Sequence, residues 1–396
     1  MPIASNVKSS LWLSRVGWVF GAGVLCWISA ARSGTTPERY GNDFTVFYAA
    51  AQQVWLTGNP YDIPIRAATP YLYPPLFAQL LMPLAWLPLP VAAFLWAMGN
   101  VLAVGWLWRQ IRQVLPPGPD QNLLYAGWWL ALGPVLLGNF LLGQVNLWIA
   151  AAVTFALLAD AHRQRAAAGG LALAAAVSIK LSPALLIPYF VGRRAWRLLA
   201  WWAVWMVLGN ALSCGALGTH RWAIMHDWYQ EIIVHGWHFD FAVASNQSIY
   251  GALRRALRWV GVESQLPYWP VVVVGSGGLF FLGQAHCRGV GPLVYRAAAV
   301  AGAWCVLGSQ LSWVAHFATL ALLVALLVRY QKNHPLARMW LVAFGMCTWS
   351  SFQVVPGVLR MGVEAWSLFA LAGLGATLTL AFLTEQDSLE RLETMG

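Results

Sequence analysis

The sequence predicts an all-α, multi-pass membrane protein, and three observations predict it. Of 396 residues, 59% are hydrophobic and 10% are charged, where a soluble domain carries about a quarter charged residues. The apolar runs are longer than strands and lack period-two alternation, so they read as helices rather than barrel strands. The 25 tryptophans gather near the ends of runs, among them Trp12, Trp128, Trp129, Trp196, Trp201 and Trp202, where interfacial anchors belong.

The elements follow in order. Lys8 and Arg15 precede an apolar run from Val16 to Ala31. It reads as an uncleaved signal anchor with a cytoplasmic N-terminus, the alternative being a signal peptide with Ser29-Ala30-Ala31 as a weak cleavage site. Residues 32–75 then form the first external loop, with Glu38, Asp43 and Asp62. Within it, Phe44 to Leu56 reads as an amphipathic helix along the interface, and Gly58-Asn59-Pro60-Tyr61 as a turn. Leu76 to Leu87 is interrupted by Pro83 and reads as half-inserted, whereas Leu89 to Trp108 is a full span ending at Arg109 and Arg112.

Further spans run roughly over 121–138, 143–160, 166–180, 182–191, 196–217, 268–284, 293–309, 311–329, 338–355 and 361–383, with edges good to a few residues. The stretch 182–191 is too short to cross by itself. The expected total is about 11–13 transmembrane helices in one integral-membrane domain covering 1–396. Alternating the loops places Arg163 and Arg165, Arg193, Arg194 and Arg197, Arg288, and Arg329, Lys332 and Arg338 on the cytoplasmic side, as the positive-inside rule requires. The long polar segment 218–267 then lies outside, and the acidic tail 384–396 inside. The inner (plasma) membrane is the expected location, with both termini cytoplasmic.

Several function classes fall away. The net charge of +10 sits in short clusters between apolar runs, which is the pattern of membrane topology and not of nucleic-acid binding. Cys26, Cys214, Cys287, Cys305 and Cys347 show no CxxC spacing, so neither a zinc site nor a disulfide framework is expected. His235 and His238 are three apart, but a metal site would need further ligands nearby. No Walker loop, GxGxxG or HExxH pattern occurs, and no internal repeat favours a transporter.

A polar group in hydrocarbon costs several kcal/mol unless paired, so the remaining polar residues stand out. They are Asp43; Gln144 and Asn146 in Gly143-Gln144-Val145-Asn146; Lys180; Asn246, Gln247, Arg254 and Arg255 in the large loop; His316 after Ser309-Gln310-Leu311-Ser312-Trp313; and Arg360. Taken singly, each has a plainer reading. Asp43 could cap a helix, Lys180 could snorkel, the amides could bond between spans, His316 could be a core histidine, and the arginines could form a solvated face. Taken together, the topology puts them all on the external side.

An external carboxylate, a lysine, arginines and a histidine at a membrane surface suit glycosyl transfer from a polyprenyl-phosphate sugar. The acceptor hydroxyl needs a general base, which Asp43 can supply. The leaving phosphate gains charge in the transition state, which Lys180 and Arg254 or Arg255 can stabilise. Gln144, Asn146, Asn246, Gln247, His316 and Tyr73 remain to orient sugar or phosphate oxygens. The partners are then the lipid-linked donor, a lipid or glycan acceptor and the surrounding membrane lipids. Two rivals stay open: a transporter or lipid flippase coupling Asp43 with Lys180, and a non-catalytic subunit of a glycan assembly complex.

The same residues form an ordered series that resembles glycosyltransferase family 87, the polyprenol-phosphate-mannose-dependent mannosyltransferases of the GT-C superfamily. The series is Asp43-Phe44 with Tyr48-Ala49-Ala50, Gly58-Asn59-Pro60-Tyr61, Tyr73-Pro74-Pro75-Leu76-Phe77, Gly143-Gln144-Val145-Asn146, Lys180 with Pro183, Asn246-Gln247-Ser248 leading to Arg254 and Arg255, and Ser312-Trp313 with His316. It covers roughly residues 40 to 330. The resemblance implies a GT-C fold, an acid in the first external loop as base, mannose as the hexose, and an inverting transfer without metal or other cofactor. One position departs from the family pattern: paired histidines follow its Ser-Trp, whereas here Ala315 precedes a single His316.

Overall fold

The computed structural model describes residues 21–33, 42–63, 71–216, 218–234, 240–262, 266–350 and 367–382. His235, His238, Arg360 and the acidic tail lie outside the described residues. The described residues are helical, with no strand among them. Three helices are long and apolar enough to cross a membrane, and eight shorter apolar helical stretches accompany them. The chain divides into two compact units. The first comprises 1–105, 138–147 and 210–235, and the second comprises 106–137, 148–209 and 236–396.

In the first unit, α1 (Gly21–Ala31) is tied by the Ser29 hydroxyl, which donates to the Phe140 carbonyl at 2.9 Å. Helix α2 (Asp43–Leu56) packs against two short helices, α3 (Pro75–Leu80) and α4 (Met82–Ala85). The shortness of these follows from Pro75 and Pro83 near their starts, since neither can donate to the preceding turn. Phe44, Val46, Phe47, Ala50, Ala51 and Val54 of α2 are buried. Trp55 and Trp86 stay exposed and meet edge to face at 5.9 Å, as interfacial aromatics do. Helix α5 (Leu89–Val114) contributes Trp96 to this core, stacked on Phe44 at 5.5 Å.

Helices α5, α6 (Gln121–Leu141), α7 (Asn146–Ala161) and α10 (Trp196–Ala216) each belong partly to both units. Within the first unit, α11 (Arg221–Trp228) sends the Trp228 indole N–H to the Leu72 carbonyl at 3.3 Å.

The second unit is centred on one helical stretch, a 3₁₀ turn over Val314–Leu320 continuing as α15 (Ala321–Tyr330). Every residue from His316 to Val328 is buried, so this stretch is apolar on all sides and sits in the middle of its unit. Helices α14 (Pro292–Leu307), α16 (Pro335–Ser350) and α17 (Leu368–Phe382) pack around it. The stretch expected at 182–191 is a 3₁₀ turn, Ser182–Leu186, followed by α9 (Ile187–Gly192). Pro183 and Pro188 break it at these two points. It packs closely on α13 (Trp269–Ala285) through two glycines. A Cβ on Gly192 would lie 2.1 Å from the Phe280 carbonyl oxygen, and one on Gly283 would lie 2.3 Å from that of Tyr189.

Arg193 separates from its neighbours in the sequence. It is wholly enclosed, while Arg194 is exposed and turns back at φ 56. Arg193 Nε donates to Asp160 Oδ2 at 2.7 Å, and its Nη1 donates to the carbonyls of His286 and Gly289. A buried guanidinium is tolerated only when paired and hydrogen-bonded in this way.

Candidate active site

The first unit carries the acid. Asp43 opens α2, and its backbone N–H donates to the Leu142 carbonyl at 3.1 Å. The helix dipole favours negative charge at that position. Gln144 Nε2 donates to Asp43 Oδ2. The direction of that bond follows from the carboxylate, which only accepts, so Gln144 presents its NH₂ to it. Asn146 Nδ2 donates both to Gln144 Oε1 and to Asn139 Oδ1, each at 3.1 Å, an arrangement consistent with that orientation.

The backbone is equally constrained. The Gly143 carbonyl accepts from the Trp96 indole at 2.9 Å, and the Gln144 carbonyl accepts from Asn100 Nδ2 at 3.3 Å. Gly143 has φ +64, and a Cβ there would come 2.9 Å from Phe44 Cβ. Only glycine allows this approach. Tyr73 packs edge-on against Phe47 at 5.0 Å. Burial, and after it the negative charge of Asp43, push its phenol above the usual range, so Tyr73 stays a neutral hydroxyl beside the acid.

The second unit carries the cations. Lys180 follows α8 (Ala166–Ile179) in extended conformation, and its Nζ meets His316 Nε2. His316 Nδ1 accepts the Trp313 N–H at 3.2 Å, and its ring lies nearly parallel to that of Trp313. The single histidine is therefore held by the residue before Val314, not by a second histidine.

Asn246, expected with Gln247 to orient a ligand, has other work. Asn246 is fully enclosed. Its Nδ2 donates to the carbonyls of Phe241 and Gln310 at 2.9 and 3.0 Å, and its Oδ1 accepts from the N–H groups of Ser248 and Ser312 at 3.2 and 2.9 Å. All four places of the amide are filled, so Asn246 fastens the 241–248 loop to the 309–313 loop and has no capacity left for a sugar. Gln247 is enclosed as well and donates to the Ala244 carbonyl.

The arginines also differ. They lie on α12 (Ile249–Trp259), which is strongly amphipathic and capped by the Ser248 hydroxyl. The Arg255 guanidinium donates to the Ser367 hydroxyl and the Val243 carbonyl. Arg258 forms a two-pronged pair with Asp240 at 3.0 Å for both contacts, which holds that carboxyl below its usual range. Arg254, half-exposed, donates to no protein acceptor among the described residues. The apolar side of α12 and Ala370, Leu371 and Leu374 of α17 border a cavity of about 750 Å³, with Arg255 and Arg258 at its polar edge.

Sequence reasoning missed Asn139, Asn100 and Trp96. Asn139 and Asn100 are isolated amides inside apolar runs, and the screen that singled out Gln144 applies to them equally.

A match to glycosyltransferase family 87 covers residues 71–309, more than half of the chain. The chain belongs to this family. As a family 87 member it is a membrane glycosyltransferase. A polyprenol-phosphate-mannose-dependent alpha-(1-2)-phosphatidylinositol mannoside mannosyltransferase of Mycobacterium tuberculosis is 25% identical over 416 residues, covering 94% of this chain and 93% of its own length. A polyprenol-phosphate-mannose-dependent alpha-(1-2)-phosphatidylinositol pentamannoside mannosyltransferase of Mycolicibacterium smegmatis is 27% identical, over 69% of this chain and 66% of its own. Among solved structures, ArnT from Cupriavidus metallidurans aligns at 15% identity in the apo state, with TM-score 0.36 over 94% of this chain and 77% of that one. Bound to undecaprenyl phosphate it aligns at 16%, with TM-score 0.38 over 93% and 76%.

Proposed function

We propose that this family 87 enzyme moves a mannosyl group from a polyprenyl-phosphate donor to the hydroxyl of an acceptor outside the cytoplasm, with inversion and without a metal. Asp43 takes the proton from the acceptor hydroxyl. The acceptor oxygen bonds to the anomeric carbon, the bond from that carbon to the phosphate oxygen breaks, and polyprenyl phosphate leaves with the electron pair. Lys180 and Arg254 meet the phosphate charge, and the apolar cavity beside α12 suits a prenyl chain.

The observation that carries this reading is the amide cluster on Asp43, in which Asn146 donates to Asn139 and to Gln144, and Gln144 donates to the carboxylate. It fixes the carboxylate at the first position of α2. The names of the curated relatives support mannose and the lipid donor. The positive-inside pattern of the sequence supports the external side.

The test is turnover of labelled polyprenyl-phosphate-mannose by purified Asp43→Asn. A general base is worth about 10²–10⁴-fold, so turnover should fall by that factor while the thermal midpoint stays near wild type. Turnover at the wild-type rate would remove Asp43 from the role.

A further inference from the structure

The Asp43 chemistry leaves unused two adjoining cavities in the second unit, at arginine-rich helix ends. One, of about 320 Å³, is bordered by Arg109, Arg165, Gln110, Trp106 and Phe155. The other, of about 460 Å³, shares Arg109 and Gln113 with the first and adds Arg112. No carboxylate is among the residues that line either one, and Arg109, Arg112 and Arg165 are exposed. Arg165 takes φ 54 as it leads into the first turn of α8, where the helix dipole also favours an anion. The aromatic rings of Trp106 and Phe155 give the smaller cavity an apolar wall.

Gln110 adds an independent indication. It is 3% exposed, and its Nε2 donates to the Ala151 carbonyl at 3.1 Å. Its Oε1 is buried without a hydrogen-bond partner. A buried acceptor without a donor is costly, and a ligand hydroxyl would satisfy it. Arginines for a phosphodiester, an acceptor for a hydroxyl and an apolar wall for a glyceryl or acyl segment describe one chemical class.

We propose that these cavities bind the headgroup of a hydroxylated anionic phospholipid, on the side that the positive-inside pattern assigns to the cytoplasm. Basic pockets between helices at that face are physically suited to anionic headgroups. The lipid would act as a bound structural partner, separate from the lipid-linked donor.

The test uses the full chain purified in detergent, with phosphatidylglycerol as probe, read by native mass spectrometry and by the thermal midpoint. Phosphatidic acid (a phosphate without a headgroup hydroxyl), phosphatidylcholine and inorganic phosphate are the comparisons. Phosphatidylglycerol should bind best and raise the midpoint. The double variant Arg109→Gln, Arg165→Gln should bind it about 30-fold more weakly while keeping its lipid-free midpoint and its transferase activity in detergent. Gln110→Met should erase the preference for phosphatidylglycerol over phosphatidic acid; should that variant fail to fold, the arginine variant decides alone. Undiminished phosphatidylglycerol binding by the double variant overturns the proposal. Inorganic phosphate binding as tightly as phosphatidylglycerol overturns it too, because the site would then serve a soluble anion.

Discussion

The Asp43 cluster and the Asn246 cluster are both built from buried side-chain amides, yet they use them in opposite ways. Around Asp43 the bonds run in one direction, from Asn146 to Gln144 to the carboxylate, and end on a titratable side chain. Around Asn246 they close on themselves, since every donor and acceptor of that amide meets backbone of the 241–248 or 309–313 loops. A polar residue in an apolar chain is therefore a marker of something, and only its bonding direction tells whether it serves a ligand or a loop.

This contrast can be broken most severely at Asn246. Asn246→Ala takes the side-chain acceptor from the backbone N–H groups of Ser248 and Ser312 in a closed space, at about 1–3 kcal/mol for each such buried group. The variant should unfold at a much lower temperature in detergent. A midpoint within a degree or two of wild type would show that the two loops do not depend on this amide.

Lys180→Ala comes next in size. A charge-assisted contact to phosphate is worth about 1.5–3 kcal/mol, so donor affinity should fall about 10- to 150-fold, measured by equilibrium binding of polyprenyl-phosphate-mannose. Unchanged affinity would leave Lys180 as a partner of His316 alone.

Asn146→Leu should act on the rate. It removes the donor that anchors Gln144 Oε1 and so loosens the Gln144 amide on the carboxylate, and kcat should drop about tenfold, the worth of one ordinary buried hydrogen bond, with donor affinity preserved. Equal losses in kcat and binding would mean that the amide chain shapes the donor site and not the base.

The smallest effect separates neighbours on α12. Arg254→Gln should weaken donor binding a few-fold with no change in the unfolding temperature, as expected for a partly solvated charge. Arg255→Gln should instead lower the unfolding temperature, because its bonds to Ser367 and Val243 are lost. The reverse assignment of the two outcomes would exchange their roles.

Much of the fold was legible because proline, glycine and charged residues punctuate the apolar runs. The run expected at 166–180 is α8, closed at Lys180 before Ser182-Pro183, and the run at 293–309 is α14, opened at Gly291-Pro292. Helix α5 outlasts the expected apolar span for a physical reason. Hydropathy stops at Trp108, but Arg109, Gln110 and Arg112 are good helix formers and carry the helix to Val114. At the site, Asp43, Gln144 and Asn146 were legible as polar residues out of place. Their mutual hydrogen bonds were not, since Gln144 is brought to Asp43 across 101 residues of chain and beside the left-handed backbone of Gly143. Likewise Arg193 and Arg194 look alike in sequence, and only the turn after α9 sends one inward and the other to the surface.

The enclosed Arg193 also sets a timetable for making the protein. Asp160 is synthesised 33 residues earlier, so a partner is waiting when the guanidinium emerges. The His286 carbonyl follows 93 residues later, which at roughly 5–20 residues per second takes on the order of 5–20 s. For that interval the nascent chain holds a cation whose cage is half built, and the carboxylate of Asp160 is what accompanies it until α13 arrives.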